Sequence, residues 1–135
     1  MSEILLDKFI DIFKNNILPL TIKGVDCGNK IFGAAIISKD DYSLVTAGSN
    51  NETENPIWHG EIYTLKKFYE LDNKMRPKEK NCIFLSSHEP CSLCLSAITF
   101  SGFDNFYYLF PYESTSDEFN ICLLYTSDAA DESSS

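Results

Sequence analysis

The distribution of apolar residues along the chain predicts three helices and four strands. In the N-terminal segment the apolar positions are spaced three and four apart, which predicts an amphipathic helix over residues 3 to 17. Pro19 is expected to end this helix, because proline lacks the amide hydrogen that a helix interior needs. Two short apolar runs, at 31 to 37 and 42 to 47, flank a polar tripeptide and predict a β-hairpin.

The rest of the pattern continues with helices and strands in alternation. Asn55-Pro56 predicts the start of a second helix, since an asparagine cap followed by proline is typical of that position. The apolar stripe of this helix consists of Trp58, Ile62, Leu65 and Tyr69. A strand over residues 82 to 86, a helix from Cys91 to Ser101 capped by Gly102, and a strand over 105 to 110 follow. This order predicts an α/β fold, with a mixed sheet between helical layers.

Composition narrows the class of protein. A chain of 135 residues is expected to form a single domain. The sequence contains no apolar run near the ~20 residues that span a bilayer, so we expect no membrane partner and a soluble, cytoplasmic protein without a signal peptide. Eleven basic and 20 acidic residues give a net charge of −9, which argues against a nucleic-acid partner and favours a small uncharged substrate.

Two short motifs carry the chemistry, His59-Gly60-Glu61 and Pro90-Cys91-Ser92-Leu93-Cys94. A catalytic zinc ion takes three protein ligands and one water, and His59, Cys91 and Cys94 have the right number and softness. Glu61 is not needed as a ligand and is the candidate base. The chain has five cysteines, an odd number for a disulfide framework, and we interpret Cys27 and Cys82 as ordinary buried or partly buried residues.

A Cys-x-x-Cys pair alone also occurs in redox sites and in structural zinc sites. A redox site does not call for His-x-Glu on the preceding helix, and a closed zinc site needs a fourth cysteine or histidine. His88 is the only candidate for that fourth ligand. The catalytic zinc site is therefore the favoured interpretation.

Together the motifs resemble the zinc-dependent cytidine and deoxycytidylate deaminase superfamily, whose signature is His-x-Glu followed by Pro-Cys-x-x-Cys. The run from Ser87 to Ile98 is most similar to guanine deaminases and tRNA adenosine deaminases, whereas glycine at position 60 is similar to fungal cytosine deaminase. Phe32-Gly33-Ala34 resembles the first strand of the family, although Ile31 replaces a common proline. The resemblance implies a three-layer α/β/α fold with a central mixed sheet.

The resemblance also implies an activity. One Zn²⁺ per chain and a proton-shuttling Glu61 would replace the exocyclic amine of a nucleobase or nucleoside with a carbonyl, releasing ammonia. A guanine-type or cytosine-type substrate is favoured. A tRNA adenosine deaminase and a catalytically idle zinc-binding scaffold or partner subunit are the alternatives. Because family members commonly pair, we expect a homodimer.

Three residues are expected to contact the substrate if the resemblance holds. Asn50 aligns with a family asparagine whose amide reads the polar edge of the base, although Asn50 and Asn51 alternatively serve as turn residues. Backbone groups near Gly60 and His88 would hold the same base.

Residues 122 to 132 resemble a translated sequencing adapter. We therefore predict a deaminase domain over residues 1 to 121, truncated at its C-terminus, and a non-native tail over 122 to 135. Without the three acids of that tail the net charge is 11 − 17 = −6.

Overall fold

The computed structural model describes residues 2–112, which form a four-stranded sheet with helices on both faces. The helices are α1 (Glu3–Ile12), α2 (Leu18–Asp26), α3 (Gly60–Tyr69) and α4 (Ser92–Ser101). The strands are β1 (Gly33–Ser38), β2 (Leu44–Ser49), β3 (Cys82–His88) and β4 (Phe106–Phe110). The predicted tail and the end of the predicted domain lie outside the described residues. Between residues 2 and 112, no helix has the length and apolar character needed to cross a membrane.

The sheet is mixed, as the sequence predicted. Its strand order is β2-β1-β3-β4, in which β1 runs antiparallel to both of its neighbours and β3 runs parallel to β4. The predicted hairpin is the β1–β2 pair. The parallel pair is joined through α4, because parallel neighbours need a crossover connection.

Successive side chains of β1 and β3 point to opposite faces of the sheet, and each face builds its own core. The core on the α1 face contains Leu5, Phe9, Ile12, Ile17, Ala35, Ile37, Ile83 and Leu85. The core on the α3 and α4 face contains Ala34, Ile36, Leu65, Phe68, Cys82, Phe84, Ile98 and Phe103. Two cores on one sheet confirm the three-layer α/β/α architecture.

The prediction that Pro19 ends the first helix was wrong. A π-helical turn over Phe13–Ile17 follows α1, and α2 continues to Asp26 with Pro19 in its first turn. The amide of Leu18 donates to the carbonyl of Phe13, so the helix widens just before the proline. Proline is tolerated in a first turn because no intrahelical donor is needed there.

The second predicted helix begins later than its sequence indicated. Asn55 caps a tight turn instead, in which its Oδ1 accepts from the Ile57 amide at 3.1 Å and its carbonyl accepts from the Trp58 amide at 2.8 Å. The helix α3 starts at Gly60, with His59 as its N-cap residue. The predicted apolar stripe is shifted as a result: Tyr69 is 40% exposed, and the buried residues of α3 are Gly60, Glu61, Thr64, Leu65 and Phe68.

Gly60 brings the first turn of α3 close to the backbone that enters β1. A Cβ atom at this position would lie 2.7 Å from the carbonyl oxygen of Phe32 and 3.0 Å from the Cα of Gly33. These neighbours are backbone atoms of the chain entering β1, so they cannot turn away as a side chain would. The first turn of α3 can therefore approach β1 only because residue 60 is glycine.

We predict that Gly60→Ala destabilises the fold by about 1–3 kcal/mol, the usual cost of an overpacked contact. The matched control is Gly24→Ala inside α2, where an added Cβ meets its nearest atom at 3.5 Å. The control should gain about 0.5–1 kcal/mol from higher helix propensity. Urea denaturation of both variants measures the difference, and equal stability of the two would contradict the close contact.

Candidate metal centre

The predicted ligands meet where two helices begin. His59 is the N-cap residue of α3, Cys91 is the N-cap residue of α4, and Cys94 lies in the first turn of α4. The N-terminus of a helix carries a partial positive charge, which favours the thiolate form of cysteine. The predicted strand is two residues longer than expected, and its end at His88 leads within three residues to Cys91.

The three donor atoms lie at the spacing that a metal ion requires. His59 Nδ1 is 3.5 Å from Cys91 Sγ and 3.4 Å from Cys94 Sγ, and the two sulfur atoms are 3.6 Å apart. Tetrahedral zinc with Zn–S about 2.3 Å and Zn–N about 2.0 Å would separate its sulfur ligands by about 3.8 Å and each sulfur from nitrogen by about 3.6 Å. The imidazole and two sulfurs therefore fit zinc in both chemistry and spacing.

His88 does not join this group. Among residues 2–112, the donors that come together are those of His59, Cys91 and Cys94. A closed structural site with His88 as its fourth ligand gains no support from this geometry. Three is also the number of protein ligands in catalytic zinc sites, where water takes the fourth position.

The pKa values of the two cysteines are shifted in opposite directions. Hydrogen bonds from Cys94 and His59 lower the pKa of Cys91 to about 4. The pKa of Cys94 is raised, because its thiol donates to Cys91 and because it is buried. The same contact with Cys91 raises the pKa of His59. A metal that binds here would displace protons, because cysteine binds metal as a thiolate and histidine as a neutral imidazole.

Glu61 is buried beside this group, with 6% of its surface exposed. Burial raises the pKa of its carboxyl to about 7, and the nearby negative charge of Cys91 acts in the same direction while His59 opposes it. A carboxyl group with a pKa near neutrality can both take up and release a proton at physiological pH. Its buried environment therefore gives Glu61 the properties expected of a general acid and base.

Asn50 holds the start of α3 in place. Its side-chain Oδ1 accepts from the Gly60 amide at 2.5 Å, and its own amide donates to the Phe32 carbonyl at 2.8 Å. Because the Gly60 amide is a donor, the oxygen of the Asn50 side chain must face it. The Nδ2 group makes no hydrogen bond with any residue that the structure describes, so the predicted contact between Asn50 and a base stays a prediction.

His88 closes the end of β3, where 8% of its surface is exposed. Its Nδ1 lies 2.7 Å from Ser87 Oγ, and its ring packs edge-on against Phe32 and tilted against Phe110. Burial lowers the pKa of His88 to about 4, so the imidazole is neutral at pH 7. Its predicted backbone contact with substrate also stays a prediction.

Two further residues near the site were not assigned a role from the sequence. Ser87 accepts from the Gly33 amide at 3.0 Å and so links β3 to the start of β1. Tyr112 donates through its hydroxyl to the Pro90 carbonyl, and its amide donates to the Glu89 carboxylate at 3.0 Å. These bonds fix the segment that leads into Cys91. A serine in a strand and a tyrosine after one are too common to indicate such roles.

Known proteins are similar to this chain in sequence and in fold. Residues 13–110 match the family model described as the cytidine and deoxycytidylate deaminase zinc-binding region. Guanine deaminase of Bacillus subtilis (strain 168) is 32% identical over 97 residues, which cover 65% of this chain and 56% of that protein. The chain therefore spans little more than half the length of this curated relative.

Solved structures show the same architecture. The structure of guanine deaminase from Bacillus subtilis has a TM-score of 0.66 at 24% identity, covering 88% of this chain and 71% of that chain. Guanine deaminase from Nitrosomonas europaea has a TM-score of 0.63 at 23% identity, covering 75% and 58%. A structure from a study of tRNA A34 deaminases has a TM-score of 0.61 at 20% identity, covering 73% and 75%. At these identities the likeness establishes the fold.

We predict that Cys94→Ser loses zinc, because one soft ligand is removed from a three-ligand set. The prediction that Cys27 is buried or partly buried was wrong, because it follows the end of α2 and is free and exposed. Cys27→Ser is therefore the matched control. Elemental analysis after dialysis should find one zinc per chain in the wild type and the control, and far less in Cys94→Ser. Full zinc occupancy in Cys94→Ser would remove that residue from the ligand set.

We also predict that His88 lowers the free energy of unfolding as the pH falls below 6.5. Its folded-state pKa of about 4 lies below the ~6.5 of an unfolded histidine, so the unfolded chain binds more protons between these values. The free energy of unfolding should therefore fall by about 1–3 kcal/mol more in the wild type than in His88→Leu as the pH drops from 6.5 to 4. Denaturation at a series of pH values measures this, and parallel curves would show that His88 is not buried as a neutral group.

Proposed function

Because the chain belongs to the cytidine and deoxycytidylate deaminase zinc-binding family, we propose that it is a zinc-dependent hydrolytic deaminase of nucleobases or nucleosides. Water adds to the ring carbon that bears the exocyclic amine, the carbon–nitrogen bond breaks, ammonia leaves and a carbonyl remains. The proposal depends mainly on one observation. A buried carboxyl with a pKa of about 7 lies against three donors spaced to hold a metal.

His59, Cys91 and Cys94 would hold one zinc ion per chain, as the donor spacing supports. When bound, zinc supplies Lewis acidity that brings the pKa of a water toward neutrality. The Asn50 side chain keeps the Gly60 amide, and with it His59, at a fixed distance from β1. The two cysteines are positioned by the first turn of α4.

Glu61 is proposed to move the protons of the reaction. Its carboxylate would carry one proton from the attacking water to the ring nitrogen, and then a second proton from the resulting hydroxyl group to the departing amine, so that ammonia leaves and the carbonyl forms. Burial favours the protonated form of this carboxyl, which suits a group that must take up a proton before it delivers one. Such general acid and base catalysis typically contributes a factor of 10² to 10⁴ in rate.

A free base or nucleoside of the guanine or cytosine type is the proposed substrate. The net charge, −9 for the full sequence and −6 without residues 122 to 135, opposes the binding of a polyanion such as tRNA. The relationship to guanine deaminase of Bacillus subtilis supports a small purine substrate. The similarity to a tRNA deaminase structure supports only the fold. A tRNA substrate or an idle zinc-binding scaffold would be the conclusion if small bases are not deaminated.

We predict that Glu61→Gln abolishes ammonia release while zinc and fold are retained. The amide has the same shape but cannot carry protons, so the rate should fall by about 10²-fold to 10⁴-fold. Glu70→Gln is the matched control, because Glu70 is exposed at the other end of the same helix and pairs with Lys66.

Ammonia is measured with guanine, cytosine, adenine and their nucleosides, using zinc-loaded protein. Turnover of one of these compounds by the wild type and the control, and not by Glu61→Gln, supports the proposal. A Glu61→Gln variant that deaminates as fast as the wild type would remove Glu61 from the mechanism.

A further inference from the structure

Tyr112 is hydrogen-bonded to the segment that leads into the ligand Cys91. Its hydroxyl donates to the Pro90 carbonyl, and its amide donates to the Glu89 carboxylate at 3.0 Å. The Glu89 amide in turn donates to the Phe110 carbonyl at 2.7 Å. Three hydrogen bonds therefore join this segment to the end of β4, just beyond the point where β3 and β4 stop pairing.

The bond to Pro90 acts on the peptide group that leads into Cys91. The Pro90 carbonyl and the Cys91 amide belong to one planar unit, so holding the carbonyl fixes the plane from which the Cys91 Cα follows. Proline has no amide hydrogen, so its carbonyl is the one backbone group through which Pro90 can be held by a hydrogen bond. The Cys91 side chain makes no capping bond to α4 and faces His59 and Cys94 instead. The direction of its sulfur therefore depends on the orientation of the Pro90 carbonyl.

The electrostatic surroundings of the Tyr112 phenol show that it lies close to the metal centre. Burial raises the pKa of the phenol to about 12, and the Glu89 carboxylate acts in the same direction. The negative charges of Cys91, Cys94 and Glu61 raise this pKa further. Charges act strongly on one another only over roughly 10 Å in ordinary salt solution, so the phenol is near all three groups. With this pKa the hydroxyl keeps its proton at pH 7 and can donate it to the Pro90 carbonyl.

We infer that Tyr112 is a positioning residue of the metal centre, whose hydroxyl fixes the peptide plane between Pro90 and Cys91 and thereby the direction of the Cys91 sulfur. Glu89 supports this role by accepting from the Tyr112 amide. Residues that orient a metal ligand without touching the metal typically change metal affinity 10- to 100-fold when they are altered. The inference rests on the zinc centre of the proposed function, and not on which base is deaminated.

The first test needs no turnover and measures the transfer of zinc from the loaded protein to a chelator of known affinity. Tyr112→Phe keeps the ring and removes the donor, so its zinc affinity should fall about tenfold relative to the wild type. Tyr108→Phe is the matched control, because Tyr108 lies on β4 and is 39% exposed. The control should bind zinc as the wild type does. Equal zinc affinity of Tyr112→Phe and the control would overturn the inference.

The second test uses the visible absorption spectrum of the Co²⁺-loaded protein, which reports the geometry of the metal ligands. Tyr112→Phe should shift the cobalt bands, whereas Tyr108→Phe should leave them as in the wild type. Glu89→Gln, whose amide oxygen can still accept from the Tyr112 amide, should retain most of the zinc affinity that Glu89→Ala loses. Weaker metal binding by Tyr112→Phe with an unchanged cobalt spectrum would mean that Tyr112 contributes only to stability, and would overturn the inference.

The results distinguish the two proposals. If the wild type deaminates a base but Tyr112→Phe keeps full zinc affinity, the inference fails and the proposed function stands. If the wild type binds zinc but deaminates no base, the proposed function fails, and the zinc and cobalt measurements decide the inference alone. If the wild type binds no zinc, both fail.

Discussion

The close contact between Gly60 and the backbone at Phe32 and Gly33 is the constraint on which the site depends. It sets the distance between the start of α3 and the start of β1, where a side chain at position 60 would meet the Phe32 carbonyl at 2.7 Å. The Asn50 side chain bridges the same gap by accepting from the Gly60 amide. His59 is the residue before this contact, so its imidazole is directed by backbone packing. The cysteines on α4 then complete a group that neither helix provides alone.

Burial and charge in this small region favour the same chemistry. The N-terminus of α4 stabilises negative sulfur, whereas the covered position of Glu61 destabilises its charged form and raises its pKa. The cysteine thiols and the Glu61 carboxyl therefore differ in the form that their surroundings favour. The Cys91 sulfur is held in the thiolate form that suits a metal ligand, while burial favours a protonated Glu61 carboxyl. Separation of roles by environment explains why the motif needs both residue types.

The sequence predicted the order of elements because those features are local, and its two motifs indicated the three residues whose donor atoms meet. The apolar runs of the hairpin, the strand at 82 to 86 and the Gly102 cap each depend on a few neighbouring residues, and all are present in the structure. The helix boundaries predicted from Pro19 and Asn55-Pro56 were wrong. Pro19 is accommodated in the first turn of α2 after a π-helical turn, and Asn55 caps a tight turn instead of a helix. Ser87 was missed because its role depends on Gly33, 54 residues away in the chain. Such contacts arise only when the sheet has formed.

The measurement that tests the central claim most directly is X-ray absorption at the zinc K edge on the zinc-loaded protein. Three protein ligands and an open position predict two sulfur neighbours at about 2.3 Å and two nitrogen or oxygen neighbours at about 2.0 Å. One of the lighter neighbours should change when a base analogue such as 8-azaguanine is added, because it is a water and not a protein atom. Three or more sulfur neighbours, or a shell that never changes, would contradict a catalytic centre built on His59, Cys91 and Cys94.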